Sequence, residues 1–304
     1  MEKKQIETPV YLCIFNRPDT TKEVFEAVRK ARPKKLYICS DAPRENRENE
    51  AEIVAQTRSI VEDHIDWPCE VHKNYAEKNM GCKKRMASGI SWVLEQEESA
   101  IILEDDTVPC EDFFPYMEAM LEKYKDDPRV MMVSGTNLIR KVKIEDAYTF
   151  SRFSVIWGWA TWKRAWALYD VNMEQWPQVK ESKALRSHFN GLAYKFFERD
   201  ADKIYSGLVD TWDLQWDFCR HMNDGLGIVP KQNLVNNIGF NRADATHTVG
   251  KSFEDFSTGK VEFPIQFVAE EKVALNQAYD AAYMRKNMGL KKIYNYIRKK
   301  LHKK

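Results

Sequence analysis

A chain of 304 residues, 43% apolar and 31% charged, is long enough to bury a sizeable core and too apolar to remain unfolded. Its net charge of +1 leaves no global field to draw in nucleic acid. Its six cysteines include no C-x-x-C pair, which argues against a zinc ribbon or a disulfide framework and suits a reducing cytosol.

In chain order, Val10 to Phe15 reads as a buried strand, ended by Asn16-Arg17-Pro18. It is far too short for a signal peptide. Thr20 is placed to cap a helix running to about Ala31, with Val24, Phe25 and Val28 on one face. Leu36 to Cys39 is a second strand, stopping at Ser40-Asp41. A charged helix with Ile53, Ile60 and Val61 follows, then a short strand near Cys69 to His72. The turn Asn79-Met80-Gly81 opens a helix to about Glu95, and Ala100 to Leu103 is a fourth strand that stops at Glu104-Asp105-Asp106. Strand and helix in alternation predict an α/β fold, a mostly parallel sheet with helices on both faces. Ligands in such sheets bind beyond the carboxyl ends of the strands. The polar strand ends Asn16-Arg17, Asp41 and Glu104-Asp105-Asp106 should therefore converge on one crevice.

The second half is less regular. Phe113 to Lys125 reads as helix, Val130 to Ser134 as strand, Trp212 to Met222 as helix and Ile228 to Pro230 as a short strand. No repeat, low-complexity segment or clear linker interrupts it. The expected organisation is one catalytic domain over 1–265, with a nucleotide-binding half to about 106 and an acceptor half from 107, then a helical basic tail over 266–304. No run is long enough to span a bilayer.

Three adjacent carboxylates repel one another unless something positive sits beside them. A hard divalent cation with oxygen ligands is the usual partner. On an extended backbone Glu104 and Asp106 point to one side and Asp105 to the other, which suits a metal on one side and a ribose on the other. The competing reading is a solvated turn carrying surface acids.

The block Ile101-Ile102-Leu103-Glu104-Asp105-Asp106, with Pro109, Asp112-Phe113-Phe114, Asp127-Pro128 and Val133-Ser134-Gly135, resembles the donor-site region of GT-A (Rossmann-like) glycosyltransferases. It is most similar to the N-acetylglucosaminyltransferases that act on N-glycan mannose, and bacterial polysaccharide-cluster sugar transferases carry the same block. The resemblance covers roughly Val10 to Gly239 and is strongest at the triplet. It implies Asp106 as ligand to Mn2+ (or Mg2+), with Glu104 and Asp105 on the nucleoside. It also implies that Phe15-Asn16-Arg17 helps to bind the donor through the arginine, and that Asp41 reads uracil. A metal bridging the donor's phosphates would neutralise the leaving diphosphate. Lys83, Lys84 and Arg85 open the helix before the triplet strand. Arg85 is the better candidate for the diphosphate, since a guanidinium grips phosphate bidentately, whereas the lysines read equally well as a solvated helix face.

Inverting transfer needs a carboxylate to take the proton of the attacking hydroxyl. Asp210, Asp213 and Asp217 fall on one face if the segment is helical, beside Trp212 and Trp216. Indoles cover the apolar face of a pyranose. Simple capping by Asp210 and Asp213 is the alternative. The related transferases place their base in a Trp-Asp step ahead of a helix, which implies Asp213 as base and Asp210 second. Trp157-Gly158-Trp159 reads as a wall of the sugar site, with Gly158 letting substrate approach the backbone, while Trp162 and Trp166 read as core. GT-A enzymes often draw a late histidine to the metal or phosphate, which puts His247 forward.

From Ala281 to Lys304 there are nine Lys or Arg and no acid, with Leu290, Ile293, Tyr294, Ile297 and Leu301 on one helical face. That suits peripheral contact with anionic lipid at the inner membrane face of a cytoplasmic enzyme, or simple packing on the domain. The expected partners are a nucleotide-sugar donor, probed first as a UDP-sugar, and a glycan or lipid-linked acceptor in surface polysaccharide synthesis. A sugar-nucleotide pyrophosphorylase is set aside because no Gly-rich loop follows the first strand. A non-catalytic sugar-binding or scaffold protein on the same fold is the alternative from another class.

Overall fold

A computed structural model describes residues 5–240, 242 and 256–288. The first half runs β1 (Val10–Ile14), α1 (Pro18–Ala31), β2 (Lys35–Ser40), α2 (Glu50–Glu62), β3 (Glu70–Tyr75), α3 (Gly81–Gln96) and β4 (Ser99–Glu104). The second runs β5 (Thr107–Pro109), α4 (Phe113–Lys123), β6 (Val130–Ser134), β7 (Tyr148–Ser151), β8 (Trp159–Trp162), α5 (Lys163–Trp166), α6 (Trp176–Ser182), α7 (Ala193–Tyr205), α8 (Asp213–Met222), β9 (Leu226–Pro230), β10 (Val235–Asn237) and α9 (Gln277–Met288).

Eight strands form one sheet in the order β3-β2-β1-β4-β8-β6-β9-β7, and β10 and β5 form a separate antiparallel ribbon. The α/β expectation holds, but the parallel character is concentrated in the first four strands. Beyond β4, β8 runs antiparallel to both neighbours and β7 antiparallel to β9, while β6 and β9 are parallel.

Side-chain alternation assigns the strands to two layers. Val10, Leu12 and Ile14 of β1 pack with Val24, Phe25 and Val28 of α1 and with α4 on one face. Tyr11, Tyr37, Ala100 and Ile102 pack on the other, against Met86, Ile90 and Val93 of α3, Trp216 of α8 and Trp212 just before it. Each fully buried Phe or Leu in these layers contributes about 2–3 kcal/mol by leaving water. A third apolar cluster joins α6, α7 and α9 around Phe218 of α8.

The cap of α1 differs from the expectation at Thr20. Pro18 occupies the first turn and Arg17 is the N-cap, because proline's fixed φ and missing N–H suit that position. The Thr20 hydroxyl donates back to the Arg17 carbonyl at 3.4 Å.

Candidate functional site

The β1, β2 and β4 ends, the β4–β5 turn and the starts of α3 and α8 meet on one side of the sheet. The turn is closed by Thr107, whose Oγ1 donates to the Glu104 carbonyl at 3.0 Å and accepts from the Glu104 N–H at 3.1 Å. The β5–β10 pairing holds the turn from below, and the Ile238 N–H donates to the Asp106 carbonyl at 2.9 Å. Gly239 sits so close that a Cβ there would lie 2.1 Å from Asp106 Oδ2, so this glycine gives the carboxylate its room.

The positive partner that three adjacent acids demand is present, and it is Arg17. Its guanidinium stands 3.0 Å from Asp106 Oδ2 and 3.4 Å from Asp105 Oδ1. Arg242, paired with Asp19 on α1, adds a second cation whose charge reaches Asp105 and Asp106. Burial still dominates the acids. It pushes the Glu104 carboxyl well up, helped by the charges of Asp106, Asp105 and Asp213, and it raises Asp105 to about 7. Asp106 is raised by burial as well, with Arg17 opposing.

This arrangement bears on the metal expectation. Among the described residues no three His, Cys, Asp or Glu side chains come together as a metal-holding set. Asp106, the expected ligand, spends an oxygen on Arg17. His247 lies outside the described residues.

The other strand-end residues build the crevice rather than face it. Asn16 Nδ2 donates to Glu50 at 2.9 Å, and Glu50 also accepts from the backbone N–H and guanidinium of Arg44, which lies over the Phe15 ring. This buried knot fixes the β2–α2 loop against the end of β1. Asp41, expected to read uracil, is instead a buried cap of α3. Its Oδ1 accepts the N–H groups of Ala42 and Met80, each at 2.9 Å, and its Oδ2 accepts that of Gly81 at 3.0 Å. Arg85 is also displaced from its expected role. It is 5% exposed, with Nε 2.8 Å from Cys39 Sγ and one terminal nitrogen donating to both oxygens of Asn74, each at 2.8 Å. A guanidinium so buried and so partnered does not reach a diphosphate.

Asp210 and Asp213 do not share a helical face, because α8 begins only at Asp213. Asp210 crosses to the first turn of α3, where Oδ2 accepts from Cys82 N–H at 3.0 Å and Oδ1 from Lys83 N–H at 3.3 Å. Two aspartates thus satisfy the open N–H groups of one helix, which also suits its dipole. Asp213 Oδ1 accepts from Thr211 Oγ1 at 2.5 Å and from Leu214 N–H at 2.8 Å. Among the described residues its Oδ2 takes no hydrogen bond, and its charge is felt by Glu104 and Cys82. Asp217 turns to Arg220 instead.

The tryptophans are mostly core. Trp159, Trp212 and Trp216 are at most 2% exposed and stack around one another with Trp166 and Tyr169, so they offer no face to a sugar. Trp162 and Trp166 are core as expected. Trp157 is half-buried between Phe240 and Phe256. Gly158 has φ +59, and a Cβ there would meet Val235 at 2.7 Å, so its need for glycine comes from packing rather than from substrate. Sequence reasoning missed Glu50, Arg44, Tyr169 and Arg242. A buried acid inside a charged helix and a lone loop arginine carry no local signal.

No family model matches the chain, and no curated protein does. Among solved structures it is similar to a UDP-glucose pyrophosphorylase complexed with UDP-glucose, at 11% identity over 52% of this chain and 78% of that one, TM-score 0.32. HddC from Yersinia pseudotuberculosis matches at 9% identity over 51% and 77%, TM-score 0.30. A 4-diphosphocytidyl-2C-methyl-D-erythritol synthase from Anaerococcus prevotii matches at 11% over 66% and 82%, TM-score 0.31. Superpositions this loose carry no argument about what this chain does.

Proposed function

We propose that the protein is an inverting glycosyltransferase that moves a sugar from a nucleoside-diphosphate donor to a saccharide acceptor. One observation carries the reading: the acid triplet at the end of β4 and Asp213 at the start of α8, remote in sequence, lie within electrostatic reach of each other across one crevice. In this reading Asp213 accepts the proton of the acceptor hydroxyl through Oδ2, while Thr211 and the Leu214 N–H hold Oδ1 and fix the carboxylate. Arg17 lies beside the triplet and supplies positive charge where a diphosphate would leave. The β1–α1 connection, Phe15-Asn16-Arg17, has no glycine, which supports glycosyl transfer over nucleotidyl transfer.

The Arg17 clasp on the acids favours a second reading, in which the crevice binds a sugar or nucleotide without turnover. Both are tested by thermal stabilisation with UDP, GDP, dTDP and CMP, each with and without Mn2+ or Mg2+, on wild type and Asp106→Ala. The expected outcome is stabilisation by one nucleotide, lost in Asp106→Ala, followed by release of that nucleotide from its sugar conjugate when saccharide acceptors are added. Stabilisation without release establishes the binding reading. No stabilisation under any condition overturns both. The metal arms decide whether a divalent ion enters with the nucleotide's phosphates.

No helix among the described residues is long and apolar enough to cross a membrane. The basic end of the chain, 289–304, lies outside them. Its contact with anionic lipid is proposed on sequence alone, and co-sedimentation with anionic vesicles tests it.

A further inference from the structure

We propose that Cys13 and Cys39 are a peroxide-responsive dithiol, closing to an intramolecular disulfide that joins the ends of β1 and β2 at the floor of the crevice. The proposal stands on the thiol geometry alone and does not depend on the glycosyltransferase reading.

The two cysteines are direct register partners on neighbouring parallel strands, so their side chains leave the sheet on the same face. Adjacent strands lie about 4.8 Å apart, inside the Cα separation of about 4.4–6.8 Å that a disulfide spans. Cys39 is buried and Cys13 is half-buried, so Cys13 is the member of the pair nearer to solvent.

The surroundings favour one negative sulfur. Arg85 Nε points at Cys39 Sγ from 2.8 Å, a guanidinium fixed by Asn74 and, among the described residues, with no carboxylate hydrogen-bonded to it. Burial alone would push the Cys39 thiol up, but hydrogen bonding from Cys13 and the charge of Arg85 outweigh it and bring it down to about 7. Cys13 is pushed well up as the proton-holding member, through its hydrogen bond to Cys39 and its burial. Thiolate beside thiol is the arrangement that oxidises fastest, since the thiolate is the nucleophile and the second sulfur resolves it. A buried guanidinium aimed at a sulfur is an expensive way to fill space.

The chemistry balances without a cofactor. A thiolate sulfur attacks peroxide, the O–O bond breaks, an S–O bond forms and hydroxide leaves. The second sulfur displaces the sulfenic oxygen, giving up its own proton, and the S–S bond forms. Two thiols and one peroxide yield one disulfide and two waters.

The test treats the reduced full chain with hydrogen peroxide, alkylates remaining thiols and maps peptides without reduction. The expected result is a Cys13–Cys39 cross-linked pair, with the other four of the six cysteines alkylated. The rate should climb as pH rises through about 7, following the Cys39 thiolate. In Cys13→Ser, and separately in Cys39→Ser, the cross-link disappears. A cross-link through Cys82 or any other cysteine overturns the proposal. So does full alkylation of both residues under a large peroxide excess, or their oxidation to separate sulfinic acids. The wild-type map decides the matter even where a serine variant fails to fold.

Discussion

The two walls of the crevice use carboxylates in opposite ways. On the strand-end wall most acids are spoken for: Asp105 and Asp106 by Arg17, Glu50 by Arg44 and Asn16, and Asp41 by the backbone of α3, while burial and its acidic neighbours push the Glu104 carboxyl towards its neutral form. On the α8 wall Asp213 keeps one oxygen without a partner among the described residues. A carboxylate paired with a cation or capping a helix is a scaffold or an electrostatic element. One held by a single oxygen can still take a proton from an incoming group. The difference teaches that acid density marks where charge is stored, and spare acceptor capacity marks where chemistry is done.

The largest effect expected from this contrast is at Asp213. Asp213→Asn should cut sugar transfer by about 10²–10⁴-fold, the usual range for a general base, while nucleotide-induced stabilisation and melting temperature stay near wild type. Equal turnover in the variant would dissolve the distinction between the walls. Next comes Arg85→Met, which removes a buried, fully engaged guanidinium and should cost about 2–4 kcal/mol in denaturant unfolding, yet leave the nucleotide-induced shift intact. A variant that folds as well as wild type but no longer binds nucleotide would return Arg85 to the donor site. Asp210→Ala removes half of the cap on α3 and should cost about 1–2 kcal/mol, with a smaller loss of transfer than at Asp213. An equal or larger loss would make Asp210 the base.

The smallest effect lies at Asp280 of α9, far from both walls. Burial raises its carboxyl to about 6, opposed by the Ser151 hydroxyl at 2.5 Å. Its folded value lies above its unfolded one, so the folded state binds the extra proton between about pH 4 and 6 and loses stability as pH rises through that window. Asp280→Asn should melt close to wild type near pH 4 and gain about 1–2 kcal/mol on it by pH 7. A gap independent of pH would show that the carboxyl titrates normally in the fold.

Much of the first half was legible because strands buried on both faces read as continuous apolar runs, as Val10 to Ile14 and Ala100 to Leu103 do. The convergence of their polar ends followed from topology. The second half hid its organisation. Trp159 to Trp162 is a central strand, and Trp159 was read with Trp157 and Gly158 as a binding wall because aromatic density is the same whether a ring meets a sugar or another ring. Within the site, residue types were readable and partners were not. Asp41 and Asp210 were identified as important acids, but that both would close on the backbone of one helix depends on contacts between segments far apart in the chain. The same holds for Arg17, which was expected to help bind the donor and here meets Asp106.

The position of β3 at one margin of the sheet has a consequence for solubility. Its unpaired side is an invitation for another chain to add a strand, and its sequence answers with Glu70, His72 and Lys73, the last tied to Glu62 of α2. Charge there deters stacking of one molecule's sheet on the next. The opposite margin, β7, is guarded differently: Phe150 bridges to Leu275, and α9 packs beside it through Asp280 and Tyr279. Removing the chain beyond 270 would uncover this edge strand and its Phe150, and the expected penalty of such a truncation is aggregation before loss of fold.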